Sequence, residues 1–277
     1  MEKTNKVNCF KQKVNGINFY CELRGSGPII VLVPSGEGDC GSFAWVADGL
    51  SDEFTVFTLD MRGCSRSDRP RTWTPMTAKD LASDVAGLIK ILKLEPASIY
   101  GCSSGGQAVL SIGVYYPKVA RNLMVHEAAL FDNRTSLQIM GDQLTALIRM
   151  RGSKKDAFLD FLRPLAGDEK AWETLGTDYL TRIKENGDVF FDLTFPSVVE
   201  RVYTDEELLK MPPLIFSVGL RNLELLEHRP NPIIGANLNA AKRGNCEVVK
   251  LPGGHYPQIT HPEMLIKHIR EQTKRYL

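Results

Sequence analysis

The sequence has no long apolar run. Its most hydrophobic stretch, Pro28 to Pro34 (PIIVLVP), falls far short of the roughly 20 residues a membrane helix needs. It has no excess charge of either sign: 34 Lys and Arg stand against 33 Asp and Glu, for a net charge of +1, and the signs are interspersed. No basic patch is present to hold a polyanion, so neither a nucleic acid nor a membrane is expected as a partner. Metal-ligand spacing is missing too. The six cysteines, Cys9, Cys21, Cys40, Cys64, Cys102 and Cys246, form no C-x-x-C pair and have no His at ligand distance. Free thiols in a reducing, cytoplasmic setting are expected, with no metal or organic cofactor. The first residues, Met-Glu-Lys-Thr-Asn-Lys-Val, carry no apolar core of a secretion signal. Repeats and low-complexity tracts are also absent. The 277 residues, 43% hydrophobic and 24% charged, are those of a globular chain, and a homodimer stays open as its assembly.

Strand signals open the chain at 7–13 and 16–23. They continue at 29–33, after a Gly25-Ser26-Gly27-Pro28 turn, and at 54–59. A helix is predicted over 77–94, with Leu81, Val85, Leu88, Ile89 and Leu92 on one face and Pro96 as its stop. A strand at 97–100, a Gly-rich turn, a helix to about 116 and a strand at 122–125 follow. From 131 to 205 helical spacing takes over, as in Leu137, Met140 and Leu144, or Phe158, Phe161 and Leu162. Strands return at 214–219 and 246–251, and a helix runs from 262 to the end. The alternation predicts the α/β class: an eight-stranded, mostly parallel sheet built from 1–130 and 206–277, with a helical cap, 131–205, inserted after the sixth strand.

Gly101-Cys102-Ser103-Ser104-Gly105 fits G-x-S-x-G between a strand and a helix, the setting that lifts a serine out of a sheet as a nucleophile. Serine is a weak nucleophile and needs a base. His255, in Leu251-Pro252-Gly253-Gly254-His255-Tyr256-Pro257 after the last strand, lies where the chain order Ser…acid…His puts one. Thr260-His261-Pro262 reads as a helix start with His261 capping. His126 reads as pointing away from the acid that follows it, and His228 and His268 as helix or surface residues.

The acid is less direct. The segment after the seventh strand, Gly219-Leu220-Arg221-Asn222, offers Asn where a carboxylate is common, and Asn cannot stabilise an imidazolium. Glu127, ending the sixth strand on the same carboxyl edge, is the favoured acid; Glu224 is the competitor. Oxyanion stabilisation calls for backbone donors, expected from the amides of Ser104 and Gly36. Ser35 then faces the pocket, either hydrogen-bonding substrate or capping its turn. Asp60-Met61-Arg62-Gly63-Cys64-Ser65-Arg66-Ser67 reads as a structural turn.

Together these residues resemble the fungal zearalenone lactone hydrolases of the α/β-hydrolase superfamily. The similarity runs through Val33-Pro34, Gly36, Gly38 and Cys40; Asp60-Met61 with Gly63 and Ser65-Arg66-Ser67; Gly101 to Gly105; His126-Glu127; Leu251-Pro252-Gly253 with His255, Pro257, His261 and Pro262; and Tyr276-Leu277. The resemblance implies an α/β-hydrolase fold with a lid. It implies a triad of Ser103, Glu127 and His255, with Gly36 and Ser104 as oxyanion donors. It further implies a small apolar lactone or ester as substrate, whose opened resorcylic product readily loses carbon dioxide. Two departures touch the substrate: Ser35 replaces an acidic residue, and Phe190 or Phe191 stands where the cap presents a tryptophan, losing area and an N–H donor. With Leu130 and Tyr256, these are the expected substrate contacts. A general carboxylesterase, a carbon–carbon bond hydrolase and a hydrolase-fold receptor remain alternatives.

Overall fold

The computed structural model describes residues 6–69, 72, 74–228 and 231–277; most of the stretch read above for a secretion signal lies outside them. Eight strands form one sheet: β1 (Asn8–Val14), β2 (Ile17–Arg24), β3 (Ile29–Val33), β4 (Thr55–Leu59), β5 (Ala97–Cys102), β6 (Ala120–His126), β7 (Leu214–Gly219) and β8 (Glu247–Leu251). Their order is β1-β2-β4-β3-β5-β6-β7-β8. The first two pairings are antiparallel and every pairing from β4 across to β8 is parallel. A parallel sheet must be covered on both faces, which is why β5 and β7 are buried along their whole length.

Strand alternation splits the interior in two. Val31, Ile99 and Val125 pack with residues of the helices Ala78–Ile91, Ser104–Tyr115 and Pro232–Arg243. Ile30, Leu32, Tyr100 and Met124 face the helices Ala44–Leu50 and Pro262–Arg275. The second core continues into Phe158, Leu162, Trp172, Tyr179 and Phe190. These belong to the helical insert between β6 and β7, which comprises Arg134–Arg151, Lys154–Ala166, Glu169–Glu173, Thr177–Glu185 and a run over 187–198 whose middle, Phe190–Thr194, is a π turn. Two polar pins fasten the insert to the core. Arg182 Nε donates to Asp39 at 2.7 Å. Asn186 donates from Nδ2 to Glu37 O at 2.7 Å and accepts Ser65 N–H at 2.7 Å.

Some local expectations are corrected. The helix starting after Thr77, which forms a capping box with Asp80, ends at Ile91, short of the expected 94, because Lys93 turns left-handed at φ 56°. His261 stands at the start of the last helix without a side-chain cap bond; its Nδ1 pairs with Thr260 Oγ1 at 2.9 Å. His268 lies on that helix but is buried.

Candidate active site

β5 meets the helix Ser104–Tyr115 at Ser103, whose backbone sits at φ 54° and ψ −121°. Close approach dictates both glycines of the motif. A Cβ on Gly101 would lie 2.5 Å from Gly105 O, and one on Gly105 would lie 2.4 Å from Pro34 O. A left-handed non-glycine residue costs about 1–3 kcal/mol and needs outside support. Here Ser103 N donates to His126 O at 3.1 Å, and Ser103 O accepts from Ala129 N at 2.9 Å. These bonds tie the elbow to the end of β6. Register finishes the alignment: Cys102 pairs with His126, and His126 with Ser217, across β5, β6 and β7.

The next residue, Glu127, is buried and itself left-handed at φ 42°. Its Oε2 accepts His255 Nδ1–H at 2.8 Å. Its Oε1 accepts Gly219 N–H at 2.8 Å, and Asn222 Nδ2 donates to both oxygens at 3.0 and 2.8 Å. Burial alone would raise this carboxyl's pKa. The hydrogen bonds from His255 and the Gly219 amide oppose it, and the pKa is lowered to about 2, so the group is ionised. Asn222, at the usual acid position, thus serves as a donor to the displaced acid. Glu224 is exposed on the helix Leu220–Leu226 and makes no bond to His255 among the described residues.

Two residues passed over in the sequence hold the His255 loop. His126 is fully buried, with Nδ1 3.0 Å from Ser217 Oγ and Nε2 3.0 Å from Gly254 O. A carbonyl only accepts, so Nε2 carries the hydrogen and Nδ1 receives the Ser217 hydroxyl. Burial lowers the His126 pKa, which agrees with a neutral ring. The Cys102 thiol donates to His255 O at 3.1 Å, and burial pushes its pKa well up, keeping it a thiol. Each stands one residue before a candidate catalytic group, and that adjacency was the available signal. Ser103 Oγ makes no hydrogen bond among the described residues, so its link to His255 is not closed; such bonds are often long until substrate binds.

Ser103, Ser104, Gly36, Phe190 and Tyr256 line one pocket of about 40 Å³. Phe190 packs so closely on Gly36 that a Cβ there would meet its ring at 2.7 Å. The Gly36 and Ser104 amides have no acceptor among the described residues, as an oxyanion site requires. The other expected contacts stand further back. Ser35 turns its hydroxyl to Glu37 and pairs with Tyr256 Oη at 3.2 Å. Phe191 lies behind Phe190, ring centroids 5.2 Å apart. Leu130 packs in the core while its neighbours Ala129 and Phe131 take the pocket wall.

Glu37 is a functional candidate the sequence reading missed. It is a buried carboxyl that accepts Ser35 N–H at 3.3 Å and the Ser42 hydroxyl at 2.9 Å, with no cation beside it among the described residues. Burial raises its pKa against the opposing pull of these bonds. Among the described residues no cluster of His, Cys, Asp and Glu could hold a metal ion, and no helix is long and apolar enough to cross a membrane.

The family described as alpha/beta hydrolase fold matches residues 28–221. Zearalenone hydrolase of Bionectria ochroleuca is 31% identical over 271 residues, which cover 95% of this chain and 96% of that protein. Zearalenone hydrolase of Cladophialophora bantiana is 33% identical over 267 residues, 95% of each chain. Among solved structures, the enol-lactonase of Burkholderia xenovorans LB400 superimposes with a TM-score of 0.75 at 19% identity, covering 95% of this chain and 99% of that one, a likeness of fold.

Proposed function

Because this chain belongs to the α/β hydrolases and, within them, to the zearalenone hydrolase family, we propose that it is a serine hydrolase opening the ester bond of a macrocyclic resorcylic acid lactone such as zearalenone. Ser103, His255 and Glu127 form its triad, and residues 131–205 form a lid over it. Ser103 Oγ attacks the lactone carbonyl while His255 Nε2 takes its proton. Glu127 fixes the tautomer and stabilises the imidazolium. The Gly36 and Ser104 amides bind the tetrahedral oxyanion. His255 then protonates the leaving alkoxide, which stays tethered because the substrate is a ring. Water deprotonated by His255 cleaves the acyl-Ser103 ester, and His255 returns the proton to Ser103 Oγ as the hydroxy acid is released.

The observation that carries this reading is the 2.8 Å pair between His255 Nδ1 and an ionised, buried Glu127 beside the Ser103 elbow. The test is a mass-spectrometric screen of macrocyclic lactones and p-nitrophenyl esters against the protein and its Ser103→Ala variant. Ring opening by the protein and none by the variant is expected; hydrolysis surviving in Ser103→Ala sinks the mechanism. A carboxylesterase of small esters is the second reading, favoured by the 40 Å³ of space at Ser103.

A further inference from the structure

The segment that carries the Gly36 amide is tied to the His255 loop through three side chains. Ser35 Oγ is hydrogen-bonded to Glu37 Oε2 and lies 3.2 Å from Tyr256 Oη. Tyr256 borders the small pocket at Ser103, whose wall is otherwise mostly apolar, with Phe161, Leu162, Phe190 and Val198 among its side chains. The other end of this chain is closed off. Glu37 is buried, and its Oε1 accepts the Ser35 N–H at 3.3 Å and the Ser42 hydroxyl at 2.9 Å. Arg66 and Arg182, two cations of this region, both pair with Asp39 instead.

A hydroxyl has one hydrogen to give, so Ser35 donates to Glu37 or to Tyr256 and not to both. The chain of hydrogens can run two ways. With Glu37 ionised, Ser35 donates to it and Tyr256 must donate to Ser35, which turns the phenol hydrogen away from the pocket. With Glu37 neutral, its Oε2–H donates to Ser35, Ser35 donates to Tyr256 Oη, and the Tyr256 O–H is left for a ligand. The second direction agrees with the contact itself, in which Ser35 is placed to donate to Tyr256. It also agrees with the carboxyl. Both outside donors meet Oε1, as they would the carbonyl oxygen of an acid, while Oε2 faces only the Ser35 hydroxyl among the described residues. A buried carboxylate without a cation is costly, and burial favours the neutral form.

We propose that Glu37 is a positioning residue held as the neutral acid, and that through Ser35 it fixes Tyr256 as a hydrogen-bond donor to substrate, so that the site favours esters whose acyl part carries an acceptor oxygen near the scissile carbonyl. The inference rests on the hydrolase reading above and narrows its substrate. The pocket measures only about 40 Å³, so a donor on its wall is within reach of the atoms next to a carbonyl held at Ser103. A neutral carboxylic acid suits the role because it donates where a carboxylate can only accept. An ortho-oxygen on the aromatic acid of a resorcylic lactone meets the requirement, and so does an ether oxygen in a small acyl chain. A hydrocarbon acyl group leaves the Tyr256 hydroxyl without a partner, which counts against it.

The test uses p-nitrophenyl methoxyacetate and p-nitrophenyl butyrate, which share a shape and a leaving group and differ by an ether oxygen in place of a methylene. The ratio of their kcat/KM values is measured for the unaltered protein and for Tyr256→Phe, Glu37→Leu and Glu37→Gln. Comparing ratios cancels the intrinsic reactivity of each ester and any general loss of activity. Tyr256→Phe removes the donor and is expected to lower the ratio about fivefold, as the loss of one hydrogen bond does. Glu37→Leu frees Ser35 to accept the Tyr256 hydrogen and is expected to lower the ratio as well. Glu37→Gln offers Ser35 an N–H in place of the O–H and is expected to keep the ratio within about twofold. An unchanged ratio in Tyr256→Phe overturns the proposal, and so does a fall in Glu37→Gln as large as that in Glu37→Leu. Infrared difference spectra at neutral pH give a readout independent of turnover. The unaltered protein is expected to show the carbonyl stretch of a neutral carboxylic acid that Glu37→Gln lacks, and the absence of that band overturns the proposal whatever the kinetics. Hydrolysis of both esters surviving in Ser103→Ala overturns the serine-hydrolase reading separately.

Discussion

Replacing Glu127 with Gln keeps the side chain's shape and removes one charge and one acceptor. Every group that meets the carboxylate is a donor: Gly219 N–H, Asn222 Nδ2 and His255 Nδ1. The new NH2 must therefore oppose one of them. The Gly219 amide is fixed in the backbone, so the NH2 takes the place of Oε2, and Asn222 can answer by turning its carbonyl. His255 cannot answer without changing tautomer. Its Nδ1 becomes the acceptor and its hydrogen moves to Nε2, the atom that has to take the Ser103 proton. A wrong tautomer in the same constellation costs about 10⁴ in kcat, or about 5 kcal/mol of transition-state stabilisation. The ground-state electrostatics point the same way: hydrogen bonds from His255 and the Gly219 amide hold this buried carboxyl below its ordinary pKa, which favours the charge. The assay is steady-state hydrolysis of p-nitrophenyl acetate, with chromatographic measurement of lactone opening and thermal unfolding as a check on the fold. A kcat within tenfold of the unaltered protein refutes the reasoning, as does a larger loss from Glu224→Gln.

Glu37→Gln keeps acceptors for Ser42 and the Ser35 amide and turns a donor toward the Ser35 hydroxyl, so it loses no bond. Burial raises the Glu37 pKa in the folded chain, so its contribution to stability is complete below the ordinary carboxyl value and lost as pH rises through the raised one. The variant's melting temperature should therefore gain on that of the unaltered protein as the pH rises above the ordinary carboxyl range; a difference between the two that does not change with pH contradicts this. His126→Ala strips the Gly254 carbonyl of its donor, at a cost of about 1–3 kcal/mol, and loosens the loop that carries His255. A fall in kcat of roughly 10²-fold for a small ester with little change in KM is expected from such misplacement, and an unchanged kcat denies the anchoring role.

The parts of the molecule that are legible in the sequence are those set by neighbours in the chain. Gly101 and Gly105 are demanded within a five-residue turn, and β3 and β7 begin and end where apolar runs meet turn residues. Asn222 made the acid a matter of elimination, and Glu127 does lie within 2.8 Å of His255. What stayed hidden depends on how separate segments meet. Glu127 leaves the strand at φ 42°, and in the loop beyond it Ala129 and Phe131 reach the pocket wall while Leu130 turns to the core. His126 and Glu37 act through bonds to the Gly254 carbonyl and the Ser42 hydroxyl, and no periodicity records such partners. The helix Arg134–Arg151 shows the same limit. The spacing of Leu137, Met140 and Leu144 predicts a sheltered face, and Leu144 is indeed buried, yet Leu137 and Met140 are only half-buried against Phe131 and Val199, and Met140 also borders the Ser103 pocket. Amphipathic spacing registers that a face is kept from water. It does not distinguish a face kept dry by packed side chains from one reserved for an apolar ligand, because both select the same residues at the same intervals.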